Sequence, residues 1–202
     1  MIMKGIILLN GDPYKGEIQT DGKIVICCDG AYNWVKEAKI RIDVCLGDFD
    51  SLGYVPEGAE VYPVEKNMTD GELALHRLKE RGVSDVEIYG GSGKREDHFF
   101  GNVGLLVLAD RLNVRARMIS DYTEFYIVKG KTFIKEREGT TISLVPISES
   151  VHINSSVGLK YDASDITLWL GEGRGLSNIL TKDNAVIDID GGEAILFIVR
   201  KL

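Results

Sequence analysis

The stretch KIVICCDGAYNWVKEAKIRIDVCLGDFDS, residues 23–51, decides the fold. Lys23–Cys28 is a short apolar run that stops at Asp29-Gly30. Ala31–Lys39 carries helical spacing. Val44–Leu46 is apolar again and stops at Gly47-Asp48. Strand, helix and strand in so few residues make a βαβ unit, and such units build parallel sheets. Reading outward, Gly5–Asn10 is an earlier strand ending in the turn-like Asn10-Gly11-Asp12-Pro13. A helix is expected from Thr69 to Glu80, closed by Gly82, and a strand over Asp85–Tyr89 ending in Gly90-Gly91. A second long helix covers Asp97–Arg111, with Phe99, Val103, Leu106 and Val107 at helical spacing, and a strand covers Arg115–Ser120.

Near Tyr122 the pattern changes. Phe125–Val128, Thr132–Lys135, Thr140–Val145, Ile166–Leu170, Ala185–Ile189 and Ala194–Val199 are all strand-like, and Asp190-Gly191-Gly192 reads as a hairpin turn. The expected fold class is therefore α/β plus all-β. A mostly parallel α/β domain over residues 1–121 is followed by a small β-sandwich over 122–202.

Composition narrows the function. The chain has 202 residues and a net charge of −7, so binding of nucleic acid by phosphate neutralisation is disfavoured. No apolar run reaches the ~20 residues of a membrane-spanning helix, and the start reads as a first strand, not a signal peptide. Cys27, Cys28 and Cys45 lack CxxC spacing and are expected to be buried thiols in a reducing cytoplasm.

Ligands of open α/β sheets bind beyond the carboxyl ends of the strands, and four such ends carry polar, glycine-containing turns. Asp48 and Asp50, two apart on extended chain, point the same way and suit Mg²⁺, a hard cation that prefers oxygen. The same pair is also what an Asp-rich turn with its own Asx hydrogen bond looks like. Thr69-Asp70-Gly71-Glu72 is a capping box, which explains Thr69 and Glu72 structurally, and Asp70 suits a first helical turn. The segment GGSGKREDH, residues 90–98, follows a strand and opens a helix, so its backbone N–H groups could cradle phosphate beside Lys94 and Arg95. It is not a P-loop, because Arg95 stands where Ser or Thr must follow the Lys. His76 and His152 have no partner pattern, and neither GxSxG nor HExxH occurs.

Taken in order, CDGAYN (28–33), CLGDFDS (45–51), KNMTDGELAL (66–75) and GGSGKREDHFFGNVGLL (90–106) resemble the thiamine pyrophosphokinase family. SSVGLKYD (155–162) and GLSN (175–178) resemble that family's vitamin-binding segment. The resemblance implies transfer of pyrophosphate from ATP to thiamine, with Mg²⁺, in a homodimer whose sites are shared between chains. It implies Asp48, Asp50, Asp70 and Asp97 as catalytic, metal-binding carboxylates. ATP and its phosphates would meet Asp29, Gly30, Lys66, Thr69, Gly91, Arg95 and His98. Thiamine would meet Tyr161, Ser177 and Asn178, with Gly158 in the same segment. Family members usually carry two glycines where this chain has Gly30-Ala31, and some carry Trp where Tyr161 stands. Two other readings fit the same residues: a Mg²⁺-dependent phosphohydrolase, and a non-catalytic nucleotide or thiamine sensor.

Overall fold

The structure is a computed structural model, and it describes residues 2–65 and 67–200. The chain divides into two compact units, Met1–Asp121 and Tyr122–Leu202.

The first unit runs β1 (Met3–Leu8), β2 (Lys23–Cys28), α1 (Ala31–Glu37), β3 (Val44–Gly47), β4 (Glu60–Val61), α2 (Asp70–Glu80), β5 (Val83–Tyr89), α3 (Glu96–Arg111) and β6 (Arg115–Ile119). Its sheet order is β6-β5-β1-β2-β3-β4, and every pairing is parallel. The strands read as continuous apolar runs because both faces are covered. Ile6, Leu8, Val25 and Cys27 on one face join Trp34 and Val35 of α1, with Phe49. On α2, Ala74, Leu75 and Leu78 are buried and the helix touches β1, β2, β3 and β5. The chain adds β2, β3 and β4 on one side of β1, then returns through α2 to place β5 on the other. The strand order thus switches between β1 and β5, with Asn10 and Gly90 at the crevice.

Helix ends follow their sequence signals. Thr69 Oγ1 accepts from the Glu72 amide at 3.2 Å while Glu72 Oε2 accepts from the Thr69 amide at 2.7 Å. Gly82 ends the helix with φ +78°.

The second unit contains β7 (Thr123–Ile134), β8 (Thr141–Pro146), β9 (Ser150–Val157), β10 (Ile166–Trp169), β11 (Asn178–Ile179) and β12 (Ala185–Val199). The hairpin expected at Asp190-Gly191-Gly192 does not form. Ala185–Ile189 and Ala194–Val199 are two halves of one bulged strand, because β7 pairs along both halves, Ile189 with Gly130 and Ala194 with Val128. Likewise the two runs expected over 125–135 are the single strand β7. The first half of β12 pairs with β9 and the second half with β8. Both halves feed one core, with Ile187 and Ile189 joining Leu196, Ile198, Leu144 and Val151. Two long strands, β7 and the bulged β12, thus pair along their length where a hairpin was expected. No helix among the described residues is long and apolar enough to cross a membrane.

Candidate active site

β2 and β3 end side by side. Asp29 follows β2 in the left-handed region, φ +37°, and its amide donates to Leu46 O at 2.8 Å. A Cβ on Gly47 would lie 2.9 Å from Asp29 Cβ, so only glycine lets the two strand ends meet this closely. Beyond it Phe49, at φ +59°, turns its ring into the core, where it is 3% exposed. A non-glycine residue in that region is held there by its surroundings. The buried ring anchors the turn, with the carboxylates of Asp48 and Asp50 on either side. The Asx bond is present as well: Asp48 Oδ1 accepts from the Asp50 amide at 3.3 Å.

One oxygen each from Asp29, Asp48 and Asp50 lie within 4.8 Å of one another. Asp29 is only 8% exposed, and its buried Oδ1 has no hydrogen-bond partner among the described residues. A buried unpaired carboxylate oxygen is costly, and native proteins rarely keep one without a use. An all-oxygen set of three acidic groups fits a hard divalent cation such as Mg²⁺. The family resemblance implied Asp29 as a phosphate contact; here it stands with Asp48 and Asp50.

Asp70 and Asp97 are not members of that group of three. Asp70 opens α2, and its carbonyl oxygen lies 3.6 Å from Cys28 Sγ. Burial, and then the Asp70 carboxylate, push the Cys28 thiol up, and Cys27 is raised by its hydrogen bond to Cys45 and by burial. All three cysteines are free and buried. Asp97 is gripped by Arg95 through two bonds, Nε to Oδ1 at 3.1 Å and Nη2 to Oδ2 at 2.6 Å. Those bonds pull the exposed Asp97 carboxyl down to about 2. His98 is exposed in the first turn of α3.

The glycine loop after β5 is zipped to the loop after β1. Gly11 N donates to Gly90 O and Asp12 N to Ser92 O, both at 2.7 Å. Asn10 organises this crevice, a role its Asn-Gly turn signal concealed. Its Oδ1 and its carbonyl oxygen each accept from Lys94 Nζ at 3.1 Å. A Cβ on Gly30 would fall 2.2 Å from the Asn10 side-chain nitrogen, so Gly30 leaves room for that side chain. Asn102 Nδ2 on α3 holds Gly91 O at 2.9 Å. Thr69 is occupied as the cap of α2, and Lys66 lies outside the described residues.

In the second unit, a cavity of about 330 Å³ has Tyr161 and Asn178 on its wall, with Ile142, Leu144 and Leu168 behind. Asn178 fixes the loop before β10: its Oδ1 accepts from the Tyr161 amide at 3.1 Å and its Nδ2 donates to Tyr161 O at 2.7 Å. The Tyr161 ring is 59% exposed, and Lys160 Nζ stands 5.5 Å from its centroid, so the ring already receives a cation. Ser177, at φ +58°, has its amide bonded to Ser143 Oγ at 3.0 Å and is not among the cavity-lining residues. Nor is Gly158, which sits nearby at φ +84°.

Comparison with known proteins falls on the same two units. Residues 17–118 match the family described as "Thiamin pyrophosphokinase, catalytic domain", and residues 131–195 match "Thiamin pyrophosphokinase, vitamin B1 binding domain". The thiamine pyrophosphokinase of Bacillus subtilis (strain 168) is 30% identical over 165 residues, 77% of this chain and 76% of that protein. The crystal structure of thiamine pyrophosphokinase from Bacillus subtilis superposes with a TM-score of 0.86 at 25% identity, covering 98% of this chain and all (100%) of that one. Thiamin pyrophosphokinase from Candida albicans shares the fold with a TM-score of 0.79 at 15% identity, covering 98% and 89% of the two chains.

Proposed function

Because the chain belongs to the thiamin pyrophosphokinase family, we propose that it moves the pyrophosphoryl group of ATP onto the hydroxyl of thiamine, releasing AMP. The observation that carries this is the cluster of Asp29, Asp48 and Asp50 oxygens within 4.8 Å at the carboxyl ends of parallel strands. An ordinary stabilising turn does not leave a buried carboxylate oxygen unpaired. These three residues would hold Mg²⁺, which supplies the positive charge that a −7 chain needs to accept the phosphates of ATP.

The remaining groups position and stabilise, which is most of what phosphoryl-type transfers ask of a protein. The loop 90–95 offers its amides and the start of α3 to phosphate. Arg95 can fork onto two phosphate oxygens as it now forks onto the two oxygens of Asp97, so substrate binding exchanges one two-oxygen acceptor for another. Asp97, released by that exchange, and Asp70 are the carboxylates left to take the proton of the thiamine hydroxyl. Tyr161 offers an aromatic face to the cationic vitamin. The enzyme is cytoplasmic, in keeping with its free thiols, and works as a homodimer that completes each site with the β unit of the partner chain. Exposed Trp169, Leu170 and Leu176 on the β unit favour such a covering.

Product analysis tests the reading. Incubated with ATP and Mg²⁺, the protein is expected to form AMP only when thiamine is present. A phosphohydrolase would release phosphate without thiamine, and a sensor would leave ATP intact.

A further inference from the structure

The cavity of the second unit has two charged residues on its wall that the reading so far does not use, Asp162 and Arg174. Asp162 Oδ1 accepts three hydrogen bonds, from Ser164 Oγ at 2.7 Å, Ser156 Oγ at 2.9 Å and the Ser164 amide at 3.0 Å. Together they clamp the carboxylate and hold its carboxyl below the usual range. All three of these bonds fall on Oδ1 of the one carboxylate. Arg174, on the loop between β10 and β11, makes no hydrogen bond or ion pair among the described residues. It is not paired with Asp162 although both line one cavity of about 330 Å³. Two opposite charges that do not pair with each other, on the wall of one cavity with both polar and apolar lining, define a direction for whatever enters it.

Thiamine has a matching polarity: a permanently cationic ring, and a hydroxyethyl arm that gains negative charge as the diphosphate is built. We propose that Asp162 and Arg174 orient thiamine in this cavity, the Asp162 carboxylate receiving the cationic ring and the Arg174 guanidinium receiving the arm that becomes the diphosphate. The proposal deepens the thiamine pyrophosphokinase reading and rests on it. Asp162 selects for the cation, and Arg174 repels a ring bound the wrong way round while favouring the product's charged end. Both are substrate-orienting residues, and neither is assigned a part in the bond-making step.

Calorimetric titration of the full-length protein tests it with three ligands: thiamine, thiamine diphosphate, and a neutral thiophene isostere of thiamine. Asp162→Asn keeps the Oδ1 acceptor for Ser156 and Ser164, so folding is expected to survive and only the charge is lost. This variant should bind thiamine about tenfold more weakly and the neutral isostere nearly as well as the unaltered protein does. Arg174→Gln should leave thiamine affinity within about twofold and weaken thiamine diphosphate about tenfold. Equal losses for all three ligands would mean that the residues only shape the cavity, and unchanged affinities would mean that they are surface charges. Either result overturns the proposal alone. Failure of the unaltered protein to bind thiamine would overturn the functional reading along with it.

Discussion

Asp29 is the residue on which the site turns, and it behaves unlike its neighbours. Asp48 and Asp50 were legible in the sequence because two carboxylates two apart beside a glycine can act together. Asp29 lies nineteen residues before Asp48 (48 − 29) and joins them only because Gly47 lets the strand ends touch, at 2.9 Å from a built Cβ. Asp162 and Arg174 were illegible for the same reason: each looks like a solvated loop charge until the β unit folds. Replacing Asp48 or Asp50 by Asn should lower turnover at least ~100-fold, measured at limiting Mg²⁺, because each removes charge from the cation–phosphate assembly. Asp29→Asn should do the same to activity yet stabilise the metal-free protein by about 1 kcal/mol. It removes a buried charge crowded by two others. Urea unfolding in a chelator checks this, and a loss of stability would mean that Asp29 is a structural residue.

The elements that were easiest to read are those with one local cause. A capping box started α2, a glycine ended it, and apolar runs marked β1, β2 and β3. The hard ones depend on partners. β9 carries His152, Asn154, Ser155 and Ser156, too polar to read as a strand, and it forms because β12 and β10 flank it. Its His152 had no partner in sequence. In the fold, Nδ1 lies 2.5 Å from Asp190 Oδ1 at the bulge of β12, and Nε2 lies 3.6 Å from Asp165. Asp190, and to a lesser degree Asp165, raise the imidazole above its ordinary 6.5. A raised value in the folded state contributes stability that is complete below pH 6.5 and is lost as pH climbs through the folded value. The advantage in melting temperature over an Asp190→Asn variant should therefore be largest near pH 6 and shrink towards pH 9. A difference that does not change with pH would show that the pair acts only as a neutral hydrogen bond.

For the whole molecule, the change from alternating strand and helix patterns to strands alone, near Tyr122, announced two kinds of architecture, and the compact units divide at Asp121 and Tyr122. The sequence cannot show how the second unit closes, because the bulge at residues 190–193 and a tight turn look alike in a Gly-Gly pair. A dimer with sites shared between chains has a sharp consequence. Asp48→Asn breaks the phosphate side and Asn178→Ala the thiamine side, so a mixed dimer holds one site with both lesions and one with neither. After random exchange, about a quarter of the unaltered activity should return. Native mass spectrometry confirms the mixing, and no recovery from mixed dimers would place both substrates within one chain.

The central claim is that a pyrophosphoryl group, and not a single phosphoryl group, leaves ATP at the Asp29–Asp48–Asp50 cluster for thiamine. ATP labelled at the β-phosphorus tests it most directly, followed with and without thiamine in the presence of Mg²⁺. The account predicts that the label appears in thiamine diphosphate only when thiamine is added, with an equal amount of unlabelled AMP. Label retained in ADP, or transfer of the γ-phosphate alone, would contradict it.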